Sequence, residues 1–324
     1  MTAAPGRFTI SIDVELAWGR CDHPQQPHDQ VALSRERMIV ARLTQLMATY
    51  RIRATWAIVG HLLLPQPATR RADGLAHPDM ERPLLHHESR DWFDHLPVDY
   101  HPFWYGRDLV AMIQQTVPEQ EIGSHSFCHL PYHEQQTRTA AIDADLARMR
   151  YWHEQAGLPH VSFIFPRNVV GFRSRLYHAG VRVYRGHTKR WSDRLPWRPM
   201  RRLAHWLTFL VAWPPPLVDV CHESDSGLMN VPDSLLLFSR QGIRRLVPSD
   251  NLWRMARSGL DRAARSGRIF HLWFHPSNFA VDSDRQLAVL ERILRHACAL
   301  RDEGRLDIVT MGDYCGTEDP LSGH

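Results

Sequence analysis

The chain has 324 residues, 44% apolar and 23% charged, the balance of an ordinary soluble globular protein. Its 39 Lys and Arg against 35 Asp and Glu leave a net charge of +4, without the basic stripe of a nucleic-acid reader, so nucleic acid is excluded as the expected partner. The one cationic cluster, at 182–202, includes Tyr184, Trp191 and Trp197. It is read equally as a solvated face or as a contact for an anionic membrane surface or glycan. The N-terminus "MTAAPGRFTISID" lacks the basic and then apolar layout of an export signal. No stretch reaches the roughly 20 apolar residues of a membrane span. Cys21, Cys128, Cys221, Cys298 and Cys315 form no CxxC pair and read as free thiols, so a cytoplasmic location is expected.

In chain order, residues 8–14 read as a strand and 34–49 as a helix with Ile39, Leu43 and Leu46 on one face. "RATWAIVG" at 53–60 is a second strand, followed by a helix at 107–116 and a strand at 121–126. The segment 137–156 is helical, with Ile142, Leu146 and Met149 in register, and Gly157 and Pro159 close it. Strands follow at 160–166 and 181–186, then a helix at 249–265 and a strand at 268–275. A helix at 284–301, opened by a Ser283/Gln286 capping box, and a strand at 306–311 complete the series. Strand alternating with helix implies parallel strands with helical crossovers. Seven or eight such units predict an α/β fold, a distorted (β/α)7–8 barrel in one domain over 1–324. Segments 19–33, 64–104 and 187–232 read as long loop insertions. Within the last, Leu203 to Leu217 reads as a buried helix or as one lying against a membrane surface.

Four predicted strands end in reactive side chains. Asp13 and Glu15 close the first, and positions i and i+2 of a strand face the same way, so two carboxylates converge and need a positive partner. His125 and His129 in "HSFCH" have the spacing that sets two imidazoles on one helical turn. Arg167 follows Pro166 at the end of another strand and is a candidate to keep Asp13 ionised. His275 ends the apolar run "HLWFH" and is a candidate general acid. In parallel barrels the chemistry lies at the carboxyl ends of the strands, which places all four endings on one rim. Two histidines and one carboxylate make an open metal site, and Ser126 stands where a zincin would need Glu. Each residue also has a plain alternative. The acids could cap or pair with Arg20, the histidine pair could lie at the surface, His275 could be a core residue, and Arg167 an ordinary strand-end cation. Trp18, Tyr184, Trp191 and Trp273 could line a sugar cleft or simply pack.

The ordered set "SIDVE", "HSFCH", "FIFPRN" and "HLWFHP", spread over residues 8 to 311, resembles the polysaccharide deacetylase superfamily of carbohydrate esterases. The resemblance implies a distorted β/α barrel and a metal-dependent hydrolase that removes an N-acetyl group from a sugar. It makes Asp13 the catalytic base, His275 the acid, and Glu15, His125 and His129 the ligands of a divalent metal, with zinc expected. The family's second Asp is replaced by Val14, and Glu15, two residues after Asp13, resembles the variant acid of some members; Asp13 is the alternative ligand. Ile164 stands where an Arg is usual, so Arg167 is the substitute, and no Asp–Trp pair near His275 can be placed. The implied substrate is an N-acetylated sugar, and a cytoplasmic setting suits a biosynthetic, lipid-linked intermediate. Rival readings are a glycoside hydrolase using the acid pair, a C–N hydrolase on a non-sugar or cyclic amide, and an inactive glycan-binding member.

Overall fold

Alternation along the first strand, β1 (Gly6–Val14), sorts its side chains onto two sides. Phe8, Ile10, Ile12 and Val14 join the large apolar core beneath the helices, whereas Thr9, Ser11 and Asp13 turn into the barrel and bond to Tyr314, His271 and Arg185. The computed structural model describes residues 4–20, 27–64 and 102–316, so most of the 64–104 insertion and Cys21 lie outside the described residues. After β1 come α1 (Pro27–Thr49), β2 (Thr55–Ile58), α2 (Arg107–Gln114), β3 (Glu121–Ser124) and α3 (Thr139–Gln155). β4 (Ser162–Ile164), α4 (Arg173–His178), β5 (Val183–Arg185) and α5 (Arg198–Leu210) follow. The chain then forms β6 (Cys221–His222), β7 (Met229–Asn230), β8 (Leu235–Leu236), α6 (Ser249–Ser266), β9 (Ile269–Phe274), α7 (Ser283–Asp302) and β10 (Leu306–Ile308).

One sheet carries all ten strands, in the order β6-β7-β5-β4-β3-β2-β1-β9-β8, with β10 beside β1. Every pairing between these strands is parallel except β6 with β7. The sheet curls into a half-barrel, the distorted barrel that the alternation of elements predicts. β1 lies within it between β2 and β9, with β9 along one edge from Arg7 to Ile12. Its other edge is shared: β10 pairs with Gly6–Phe8 at the foot and β2 with Ser11–Val14 at the carboxyl end. A second, smaller apolar cluster of Ala57, Ile164, Val183, Val231, Ile269 and Met311 plugs the barrel interior. Burying each such side chain contributes about 1.5–3 kcal/mol, so this plug is a firm floor for the polar groups above it.

Four expectations change. Helix α1 begins at Pro27, inside the segment 19–33 read as a loop. Segment 187–232 holds α5, β6 and β7 rather than loop alone, because strands of two residues leave no periodic trace in the sequence. Ser283 does not cap α7. It follows the left-handed Asp282 and returns its hydroxyl to the Ala280 carbonyl, and the Gln286 amide donates to the Phe238 carbonyl. Helix α5 is not buried along its length, as described below. Among the described residues no helix is long and apolar enough to cross a membrane, and Cys128, Cys221, Cys298 and Cys315 are free thiols.

Candidate active site

The carboxyl ends of β1, β3, β5 and β9 meet at one point. Asp13 is the last inward residue of β1, and Glu15 follows one residue past its end, again inward. His125 leaves β3 with its backbone N–H still bonded to the Ile58 carbonyl, which prolongs the ladder by one residue. His275 leaves β9, held by its N–H to Asn278 Oδ1 at 3.0 Å. One oxygen, Glu15 Oε1, lies 2.9 Å from His125 Nε2, 3.2 Å from His129 Nε2 and 3.3 Å from His275 Nε2. His275 Nε2 is also 3.6 Å from Asp13 Oδ2. Asp13, His125 and His129 are buried, while the side chains of Glu15 and His275 keep 15% and 24% of their exposure, so the cluster opens to solvent on that side.

The two histidines are not on a helical turn. His125 to Leu130 is a loop, with Ser126 and His129 in left-handed backbone (φ 64° and 59°). Such φ values cost energy for residues other than glycine and persist only where surrounding contacts enforce them. Asp145 on α3 does so: its carboxylate accepts from the Ser126 hydroxyl, the Phe127 and Cys128 N–H groups and the Tyr132 hydroxyl. Burial pushes the Asp145 carboxyl up, against these donors. Asp145 lies three residues after Ile142 and four before Met149, so an acid on the buried helical stripe was its one sequence signal.

The guanidinium paired with Asp13 belongs to Arg185, not to Arg167. Arg185 on β5 makes a bidentate pair with Asp13 at 2.8 and 2.6 Å and also donates to Ser11 Oγ at 2.9 Å. Arg167 stands exposed in a turn with φ 56° just past β4; burial above all, with His125 and then Arg167 adding to it, lowers the pKa of His129. The physical reason is parity. Arg185 is two residues after the inward Val183 and so points into the barrel, whereas Arg167 follows Pro166 outside the ladder. The Arg185 guanidinium lies 4.2 Å over the Trp273 ring, and Trp273 Nε1–H donates to Asp233 at 3.1 Å. Asp233 and Trp273 thus form a buried hydrogen-bonded pair beside the site, with the Trp273 and His275 rings 5.6 Å apart. Trp18, Tyr184 and Trp273 are buried, leaving Trp191 the exposed member of the four aromatic candidates.

Charge decides how these groups titrate. Burial opposes ionisation of Asp13, but Arg185 above all, with His275 and His125, holds its carboxyl below the usual range. Burial likewise opposes Glu15, and His275 and His129 keep it well below. Burial disfavours a charged His275, yet Glu15 and Asp13 together push it up to about 9. Glu36 on α1, three residues before Ile39 on the buried stripe, adds a carboxyl missed in the sequence; burial and Glu15 push it up to about 7.

The donor set fits a metal ion. The Nδ1 of His125 lies 2.8 Å from the Ile164 carbonyl, and donation to that acceptor leaves Nε2 as a lone pair aimed at Glu15 Oε1. A lone pair facing a carboxylate is repulsive unless a proton or a cation lies between them. Glu15, His125 and His129 offer three ligand atoms within 4.8 Å of one another, and Asp13, Glu15 and His275 form a second such group that shares Glu15.

No protein-family model matches the chain, and no curated protein does. Solved structures do. A protein of Mycobacterium smegmatis assigned to the polysaccharide deacetylases superposes with a TM-score of 0.62 at 13% identity, covering 98% of this chain and 93% of its own. The PuuE allantoinase gives 0.56 at 11% identity, over 95% and 88% of the two chains. A Pseudomonas aeruginosa PAO1 protein, also assigned as a polysaccharide deacetylase, gives 0.56 at 12% identity, over 95% and 89%. The chain therefore has the fold of these proteins.

Proposed function

We propose that the protein is a metal-dependent hydrolase that removes an N-acetyl group from a sugar, in a glycan or a lipid-linked glycan intermediate. The observation that carries this reading is the single Glu15 oxygen shared by two histidine nitrogens, with an ion-paired Asp13 and the His275 Nε2 at its edge. Glu15, His125 and His129 would hold the divalent ion, and two imidazoles with a carboxylate suit zinc. When bound, the ion supplies Lewis acidity toward the acetyl carbonyl and makes water a stronger acid. Asp13 accepts the proton of the attacking water; Arg185 keeps it ionised and fixes its plane. This gives Arg185 the positioning role that the sequence suggested for Arg167. His275, on the open side, donates its proton to the leaving amine, which cannot depart as an anion.

The test is acetate release from an N-acetylated chitooligosaccharide by zinc-loaded protein, before and after a chelator. Release that stops on chelation and returns with zinc is the expected outcome. No release from any acetylated sugar by metal-loaded protein, alongside hydrolysis of a cyclic amide, would move the substrate to a non-sugar C–N bond. Sugar binding without turnover would make the chain a glycan-binding protein.

A further inference from the structure

Helix α5 turns its apolar stripe outward. Met200, Leu203, Leu207 and Val211 recur at spacings of three and four, the period of one helical face. Leu203 is 56% exposed and Val211 66% exposed; Trp197, just before the helix, and Trp213, just after it, are exposed as well. The following connection adds Ile243 and Leu246 from the turn at Gly242–Leu246, both more than half exposed. Phe238 links that turn to α5: Arg244 sits 5.4 Å over the Phe238 ring, which meets Phe209 of α5 edge-on at 4.8 Å. An exposed apolar stripe of this kind marks an interaction site.

Charge identifies the partner. Arg194, Arg198, Arg201 and Arg202 flank the stripe, and Arg244 and Arg245 stand between Ile243 and Leu246 in the turn. Between residues 186 and 218 the sole acid is Asp193, whose carboxylate accepts the Arg190 backbone N–H. Two copies meeting through this face would bring these arginines together, which opposes self-association. Tryptophan and leucine ringed by arginine is instead the composition that sits at the headgroup boundary of an anionic bilayer. A hollow of about 450 Å³, walled by Trp213 and Pro214 with Lys189, Arg190 and Arg262, continues the apolar surface inward beside cationic groups.

The face lies at the catalytic end of the barrel. Asn251, in the first turn of α6 just beyond β8, donates to the Phe209 and Leu210 carbonyls and so anchors the end of α5 there. Asp233, which holds Trp273 beside His275, also accepts from Thr188 and Arg190 on the chain leading to α5. We infer that the α5 face is a peripheral docking surface for an anionic phospholipid bilayer. That docking brings a lipid-linked sugar to the site rests on the deacetylase reading; the docking itself does not.

The experiment is co-sedimentation of the full chain with phosphatidylcholine vesicles, with and without phosphatidylglycerol. Binding is expected only with phosphatidylglycerol and should weaken as salt rises. Leu203→Glu with Leu207→Glu should abolish it, and each of Arg201→Gln and Arg202→Gln should weaken it about fivefold. All four should leave acetate release from a soluble chitooligosaccharide unchanged, so loss of docking and loss of catalysis are read apart. Absence of vesicle binding, binding unaltered in the leucine variant, or a wild-type dimer that Leu203→Glu splits would each overturn the inference.

Discussion

At the rim of the barrel, Asp13, Arg185, His125 and His129 are buried although each can carry charge. Along α5, Leu203, Leu207 and Val211 stand in solvent although each is apolar. Both regions invert the usual sorting of side chains, and the two differ in what compensates them. At the rim much of the compensation is internal, since Asp13 has Arg185 and Asp145 has its ring of donors, while Glu15 and the His125 lone pair would be reconciled by a cation between them. The arginines around α5 offer charge to something outside the chain. Buried ligand atoms that converge on one carboxylate oxygen point to chemistry on a bound molecule; an exposed apolar face without cover among the described residues points to a surface.

The sharpest way to break the comparison is to remove internal compensation. Asp13→Asn cannot take the water's proton and should lower turnover on an acetylated sugar by about 10²–10⁴-fold with the bound metal retained. Steady-state kinetics with elemental analysis of the same sample checks both halves. Turnover within a few-fold of wild type would remove Asp13 from the role of base. Arg185→Met strands the Asp13 carboxylate in the barrel and should cost about 3–5 kcal/mol, because breaking a buried pair leaves an uncompensated charge. Leu203→Glu, on the outer face, should change stability by no more than about 0.5 kcal/mol. Urea denaturation of both variants measures the contrast, and equal losses would erase it.

A smaller effect compares imidazoles. His275 is pushed up to about 9 because acids offset its burial, whereas burial above all takes His153 down to about 3 and His160 to about 4. The latter pair therefore stays neutral in the folded protein while the unfolded chain takes up protons below the ordinary histidine value of about 6.5. Their contribution is nil above that value, and stability falls as pH drops from about 6.5 toward 4, by a few kcal/mol at most. His153→Gln should flatten this acid limb in denaturation midpoints taken across that range; an unchanged limb would assign the loss to other groups.

Much of this was legible before the fold was known, for physical reasons. Strands ending in reactive residues are conspicuous in an alternating pattern, and the carboxyl-end rule collects them; Asp13, Glu15, His125, His129 and His275 do come together. Arg185 was missed because its placement depends on inward parity within a strand of three residues, too short to establish its register from sequence. The HSFCH spacing reads as helical because i and i+4 serves a helix and also a loop pinned by a distant acid such as Asp145. Helix α5 was legible as a helix, but apolar periodicity tells which residues share a face and not whether that face turns inward.

If Glu15, His125 and His129 form one metal site, metal-stripped protein should bind zinc there. Titration calorimetry followed by elemental analysis should give close to one zinc ion per chain, with tight binding lost in His125→Ala and in His129→Ala while both variants keep the wild-type fold by circular dichroism. Wild-type protein that takes up no stoichiometric ion, or either variant binding zinc as tightly as wild type, would contradict it.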